Sequence, residues 1–99
     1  NYLMRVRDGA MEPIFKKDDL VSMQTWSQDL VPLTGQIVAA WLPKEGIITR
    51  WLSNEQGMWI LRPQSRGYSI FPIEKKEETT FFKVLCWCGK QTQHGIPPA

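Results

Sequence analysis

Ile37-Val38-Ala39-Ala40-Trp41-Leu42 is a nearly continuous apolar run close to the middle of the chain. A short apolar run bounded by turn residues is typical of a strand that is buried on both faces. Pro43-Lys44-Glu45-Gly46 follows and predicts a hairpin loop, after which residues 47–52 return as the partner strand. Residues 37–52 therefore predict a β-hairpin inside the core of the fold.

Further short strands are predicted on both sides of this hairpin. They cover residues 2–7, 20–23, 58–62, 68–71 and 81–88. No long segment shows helical periodicity, and the chain has no internal repeats. The pattern predicts one all-β domain over residues 1–90, a small sandwich or partly open barrel. Residues 91–99 are polar, contain Pro97-Pro98 and are predicted to be a mobile tail.

The composition is that of an ordinary globular domain. The 99 residues are 42% hydrophobic and 22% charged, and the five tryptophans suggest that some aromatic surface meets a partner. The net charge of +2 is small, and Lys16-Lys17 and Lys75-Lys76 adjoin acidic residues, so no phosphate-binding surface is predicted. No apolar run approaches the ~20 residues of a transmembrane helix, and no signal-peptide pattern is seen, so we expect no membrane segment.

The cysteines and the single histidine predict no metal, cofactor or catalytic site. Cys86 and Cys88 alternate along one predicted strand, about 6.5–7 Å apart, which is awkward for a mutual disulfide. We expect reduced thiols in the cytoplasm, serving as small apolar fillers. His94 would add a third soft ligand, but structural zinc sites normally use a fourth. Because His94 lies on the predicted tail, it is not expected to serve a catalytic triad.

Four aromatic residues on predicted strands leave a second interpretation open. Trp51, Trp59, Tyr68 and Phe71 could stack bases on an oligonucleotide-binding barrel. No pattern of basic residues accompanies them, so packing in the core is favoured. A stand-alone β-barrel binding module nevertheless remains an alternative function.

A motif near the amino end suggests a family. Val6-Arg7-Asp8-Gly9-Ala10-Met11-Glu12-Pro13, with Asp19-Leu20-Val21 after it, resembles Val-x-Gly-Asp-Ser-Met-x-Pro and Gly-Asp-Leu. These are motifs of the serine peptidase domain shared by LexA, lambda-type phage repressors, UmuD and the signal peptidases. Residues 35–40 resemble that family's Gly-Asp-Ile-Val-Val-Ala strand, 47–52 its lysine-bearing strand, and 60–68 its Leu-x-Pro-x-Asn-x-x-Tyr segment. The resemblance spans about residues 2–90 and implies a LexA-like fold of short, strongly bent strands.

The chain departs from the family at both catalytic positions. The resemblance implies a serine nucleophile where Ala10 stands and a lysine general base where Thr49 stands. Alanine has no nucleophilic atom, threonine has no basic nitrogen, and the neighbouring Arg50 stays protonated. We therefore predict a domain that is not an enzyme and does not cleave itself. The alternative is a self-cleaving peptidase disabled by an engineered Ser-to-Ala change at Ala10.

The function that the resemblance implies is assembly of a phage- or prophage-type transcriptional repressor. Operator DNA would be read by a helix-turn-helix domain on the amino side, and a separate antirepressor protein could replace self-cleavage. A homodimer or higher oligomer is expected through the closing strand, residues 81–88. Its alternating apolar residues predict a sheet edge, although an internal strand would look the same. The candidate interface residues are Phe82, Val84, Cys86 and Trp87.

Overall fold

The computed structural model describes residues 1–89, and within that range one antiparallel sheet of seven strands accounts for the fold. The strands are β1 (Tyr2–Arg5), β2 (Leu20–Trp26), β3 (Ile37–Leu42), β4 (Gly46–Glu55), β5 (Met58–Arg62), β6 (Phe71–Pro72) and β7 (Thr80–Cys88). Two short 3-10 turns, Val31–Leu33 and Lys76–Glu78, lie between strands. The predicted all-β class is confirmed. Among the described residues, no helix has the length and apolar character needed to cross a membrane.

The strand order is β1-β2-β7-β3-β4-β5-β6, and the sheet curls into an open half-barrel. The predicted hairpin is confirmed, because β3 pairs with β4 in the register that sets Ala39 opposite Thr49. Gly46 closes the connection with φ of +75°, a left-handed conformation that glycine adopts without the clash of a Cβ atom. This hairpin places Thr49 in the middle of the sheet.

Two hydrophobic cores lie on the two faces of the sheet. One contains Leu30, Leu33, Val38, Ala40, Ile48, Leu52, Leu61, Ile73 and Phe81; the other contains Val6, Met11, Phe15, Val21 and Ile37. Because neighbouring side chains on a strand point to opposite faces, β3 contributes to both cores. The predicted burial on both faces is confirmed for Ile37 to Ala40 but not for Trp41, which is exposed.

The closing strand is not an edge strand. β7 lies between β2 and β3, so the prediction of a free sheet edge over residues 81–88 was wrong, and the internal alternative was correct. The pairing with β3 extends only as far as Lys83, whereas the pairing with β2 continues to Cys88. The edges of the described sheet are β1 and β6.

The strand predicted at residues 68–71 is reduced to Phe71–Pro72. The segment before it contacts the amino-terminal loop. The amides of Gln64 and Ser65 both donate to the carbonyl of Ala10. Pro72 also lacks the N–H group that would extend the ladder. The tail predicted for residues 91–99 lies outside the described residues.

The connection between β1 and β2, residues 6–19, forms a loop that covers the second core. Its two ends are joined by Val6 N–H to Asp19 O at 2.8 Å and Asp18 N–H to Val6 O at 2.7 Å. Met11 and Phe15 of this loop are buried in that core. This loop carries the motif around Ala10, so its anchoring positions the candidate site.

Candidate functional site

Ala10 and Thr49, the residues at the two catalytic positions of the family that the sequence resembles, are both buried. The carbonyl of Ala10 accepts two hydrogen bonds of 2.8 Å, from the amides of Gln64 and Ser65. Thr49 on β4 is paired with Ala39 on β3 within the hairpin. Both positions are therefore held by backbone contacts that do not depend on their own side chains.

A chain of hydrogen bonds links the two positions. The amide of Ala10 donates to Asp8 Oδ1 at 3.1 Å, and Arg50 Nη2 donates to Asp8 Oδ2 at 3.3 Å. Arg50 Nη1 in turn donates to the carbonyl of Thr49 at 2.7 Å. The ion pair of Asp8 and Arg50, called the Asp8–Arg50 bridge below, thus joins the amino-terminal loop to β4.

The guanidinium of Arg50 is a buried charge. Its side chain is 4% exposed, against 26% for Asp8, and the ring of Phe71 lies 5.6 Å from the guanidinium carbon. Its Nε has no hydrogen-bond partner among the described residues. A buried ion is tolerated only when it is paired, so Asp8 is the group that keeps Arg50 in place.

Neither of the two positions carries a group that could serve in a Ser–Lys dyad. Ala10 has no atom that could attack a carbonyl, and Arg50 cannot serve as a base because its guanidinium stays protonated. The nearby hydroxyl of Ser65 is engaged, since it donates to the carbonyl of Glu12 at 2.7 Å. Within residues 1–89, no group of three or more metal-ligating side chains is assembled. His94 lies outside the described residues.

The four candidate interface residues fall into two classes. Phe82 is half-buried, with its ring edge-on to Tyr2 at 5.8 Å, and Val84 is half-buried against the second core. Cys86 and Trp87 are exposed, although Trp87 also contacts Phe15 at 5.3 Å between ring centroids. Of these four residues, only the two near the end of β7 have exposed side chains.

The thiols are not the small apolar fillers expected from the sequence. Cys86 and Cys88 are both exposed and free. They lie at the end of β7, beyond the part that β3 covers, so the sheet leaves their side chains at the surface. The sequence shows that these residues share one face of a strand, but not whether that face is covered.

The aromatic residues considered for base stacking are mostly engaged inside the molecule. Trp59 and Phe71 pack against the first core, and Trp51 packs against the second while its indole donates to Gln64 Oε1 at 2.8 Å. Tyr68 is exposed. These contacts are those expected for core packing, not for an open stacking surface.

Asp8 and Arg50 are site residues whose role was not predicted from the sequence. Arg50 carries a signal, because it is the single charge in the apolar stretch Ile47–Leu52. Such a charge on a buried strand calls for a partner, but the partner lies 42 residues away in the chain. Comparison of the sequence with protein-family models and with curated proteins finds no match.

Proposed function

We propose that this chain is a catalytically inactive, LexA-like domain that oligomerises a phage- or prophage-type transcriptional repressor in the cytoplasm. The observation that carries the proposal is the replacement of the Ser–Lys dyad by Ala10 and Thr49, at positions tied together through the Asp8–Arg50 bridge. The former catalytic loop then serves as a structural connection that covers the second core.

Exposed apolar residues support assembly as the remaining role. Leu85 and Trp87 are exposed apolar residues at the end of β7, and this pair is called the β7 patch below. Exposed apolar clusters commonly mark sites of protein–protein contact. Joining two operator-reading domains raises the effective concentration of the second for its half-site, without any new base contact.

We expect operator binding and induction to depend on other parts of the repressor and on a separate protein. A helix-turn-helix domain on the amino side would contact the operator. Because the described residues contain no dyad, induction would proceed through an antirepressor protein that binds this domain. The second copy, the operator and the antirepressor are thus the proposed partners.

The test for self-cleavage uses the full-length repressor. It distinguishes a natural alanine at position 10 from an engineered one. Incubation with activated RecA, or at alkaline pH, is expected to leave the protein uncut. Ala10→Ser is also expected to stay uncut, because Thr49 cannot take the serine proton, whereas Ala10→Ser with Thr49→Lys rebuilds both groups. Cleavage is monitored by gel electrophoresis and mass spectrometry. If the Ala10→Ser protein is cleaved, the disabled-peptidase alternative is established and the proposal is overturned.

A further inference from the structure

The end of β7 presents two thiols side by side. Cys86 lies opposite Ser22 and Cys88 lies opposite Leu20 on β2, and the irregularity in this ladder falls before Cys86. The strand between the two cysteines is therefore regular, and both side chains project from the same face. Trp87, between them, contacts Phe15 at 5.3 Å, which anchors this segment to the loop over the second core.

The spacing of the two thiols suits a bridging ion better than a disulfide. Alternate residues of a strand are about 6.5–7 Å apart between Cα atoms, at or beyond the upper limit for a disulfide. A metal–thiolate bond is about 2.3 Å long, so an ion held linearly by two thiolates separates the sulfurs by about 4.6 Å. Side chains that lean toward each other from one face of a strand can span that distance.

The surroundings of the thiols select the class of ion. The groove in which they lie is almost entirely apolar, and it is lined by Leu3, Leu20, Ser22, Cys86, Trp87 and Cys88. It has no carboxylate, so it offers nothing to a hard ion such as Mg²⁺ or Ca²⁺. Among the described residues no third His, Cys, Asp or Glu joins the pair, so a closed four-coordinate zinc site is not formed either.

We propose that Cys86 and Cys88 form a two-thiolate site for a soft monovalent cation of the Cu(I) class. Soft thiolate ligands favour Cu(I), and two of them satisfy an ion that accepts low coordination. Binding replaces two S–H bonds by two metal–sulfur bonds and releases two protons to solvent, with no change of oxidation state. The groove shares Trp87 with the β7 patch, but ion binding does not require the proposed oligomer.

The test is an anaerobic titration of the reduced chain with Cu(I) in competition with a chromogenic Cu(I) chelator. We expect each chain to bind one ion, whether the chain is a monomer or part of an oligomer. Cys86→Ser and Cys88→Ser should each weaken binding roughly 100-fold or more, because each removes the second contact of a chelate. Both side chains are exposed, so the variants should keep the thermal unfolding midpoint of the parent.

Two matched controls identify the ligands. Met58→Leu removes an exposed soft sulfur elsewhere on the sheet, and His94→Gln removes the histidine considered from the sequence. Both are expected to bind Cu(I) as the parent does. The proposal is overturned if either single cysteine variant keeps the parental affinity, if His94→Gln loses as much as they do, or if one ion is shared between two chains.

Discussion

Arg50 places a permanent positive charge inside the molecule, where an unpaired ion is strongly disfavoured. Asp8 supplies the matching charge from the amino-terminal loop, and the same carboxylate accepts a hydrogen bond from the amide of Ala10. The amino-terminal loop is thereby tied to β4 by a charged contact. The Asp8–Arg50 bridge therefore connects two segments that are distant in sequence.

We expect Asp8→Asn to destabilise the fold. Asparagine can still accept the bond from Ala10 but removes the charge, which leaves the guanidinium of Arg50 buried without a counter-ion. Breaking a fully buried pair costs about 3–5 kcal/mol, and we expect about 2 kcal/mol here because Asp8 is partly exposed. The measurement is the free energy of unfolding in urea.

The control for this prediction removes both charges. In Asp8→Asn with Arg50→Met no buried ion remains, so much of the lost stability should return. If Asp8→Asn alone unfolds at the same urea concentration as the parent, the Asp8–Arg50 bridge does not hold the loop.

At the scale of single elements, the β4–β5 hairpin carries a second ion pair. Arg62 Nε and Nη2 donate to the two carboxylate oxygens of Glu55 at 2.5 and 2.7 Å, and the hydroxyl of Ser53 donates to Glu55 Oε2 at 2.9 Å. The hydrogen bonds from Arg62 and Ser53 lower the pKa of Glu55 from 4.5 to about 2, with a smaller opposing effect of desolvation. The Glu55 carboxylate, in the same pair, raises the pKa of Arg62.

This pair predicts a pH dependence of stability with a definite sign. The pKa of Glu55 is lower in the folded state, so its contribution is present above about pH 4.5 and is lost as the pH falls toward 2. Glu55→Gln should therefore flatten the acid limb of the unfolding free energy between these values. Urea unfolding across that pH range measures it.

The Glu55 prediction has a matched comparison in Glu78→Gln, whose carboxylate is 3.5 Å from Lys75 in an exposed pair. That variant should change the acid limb less, because the Lys75–Glu78 contact is longer and its side chains are 69% and 49% exposed, against 42% and 40% for Arg62 and Glu55. The difference between the two variants should also shrink at high salt. An acid limb that is the same in Glu55→Gln and in the parent would contradict the assignment.

The position of β7 shows what an element's own sequence can and cannot reveal. Its apolar alternation predicts a strand, and residues 80–88 do form one. The same alternation suits an edge and an interior position, because both require one apolar face. Pairing with β2 and β3 decides the question, and those partners begin about 60 and 40 residues earlier in the chain.

For the molecule as a whole, the proposed oligomer predicts that a charge in the β7 patch shifts the mass distribution toward monomer. Phe82 and Val84 are unsuitable sites, since both pack against neighbouring residues and a charge there would disturb the fold. Leu85 is 41% exposed and faces solvent at the end of β7. Leu85→Glu should lower the weight-average mass in sedimentation velocity.

Ile70→Glu is the control for that measurement, because Ile70 is similarly exposed, at 47%, but lies outside the patch. It should sediment as the parent does. A parent chain that is monomeric at high concentration, or an oligomer indifferent to Leu85→Glu, would remove the proposed interface. Either result would leave the Cu(I) site to be judged on its own titration.

The fold class, one hairpin and the chemistry available at two positions are determined by the sequence alone. The all-β class follows from short apolar runs between turn residues, and the hairpin over residues 37–52 follows from local chain reversal at Pro43 to Gly46. The lack of a nucleophile at Ala10 and of a basic nitrogen at Thr49 is a property of those side chains in any fold.

The rest was decided by the tertiary structure. The order β1-β2-β7-β3-β4-β5-β6, the Asp8–Arg50 bridge and the exposure of Cys86 and Cys88 all depend on segments far apart in sequence. Periodicity along a strand shows that it has an apolar face, but not which distant strand or loop covers it. Burial, charge pairing and open surface result from that long-range pairing, whose energy depends on the whole sheet and not on any one segment.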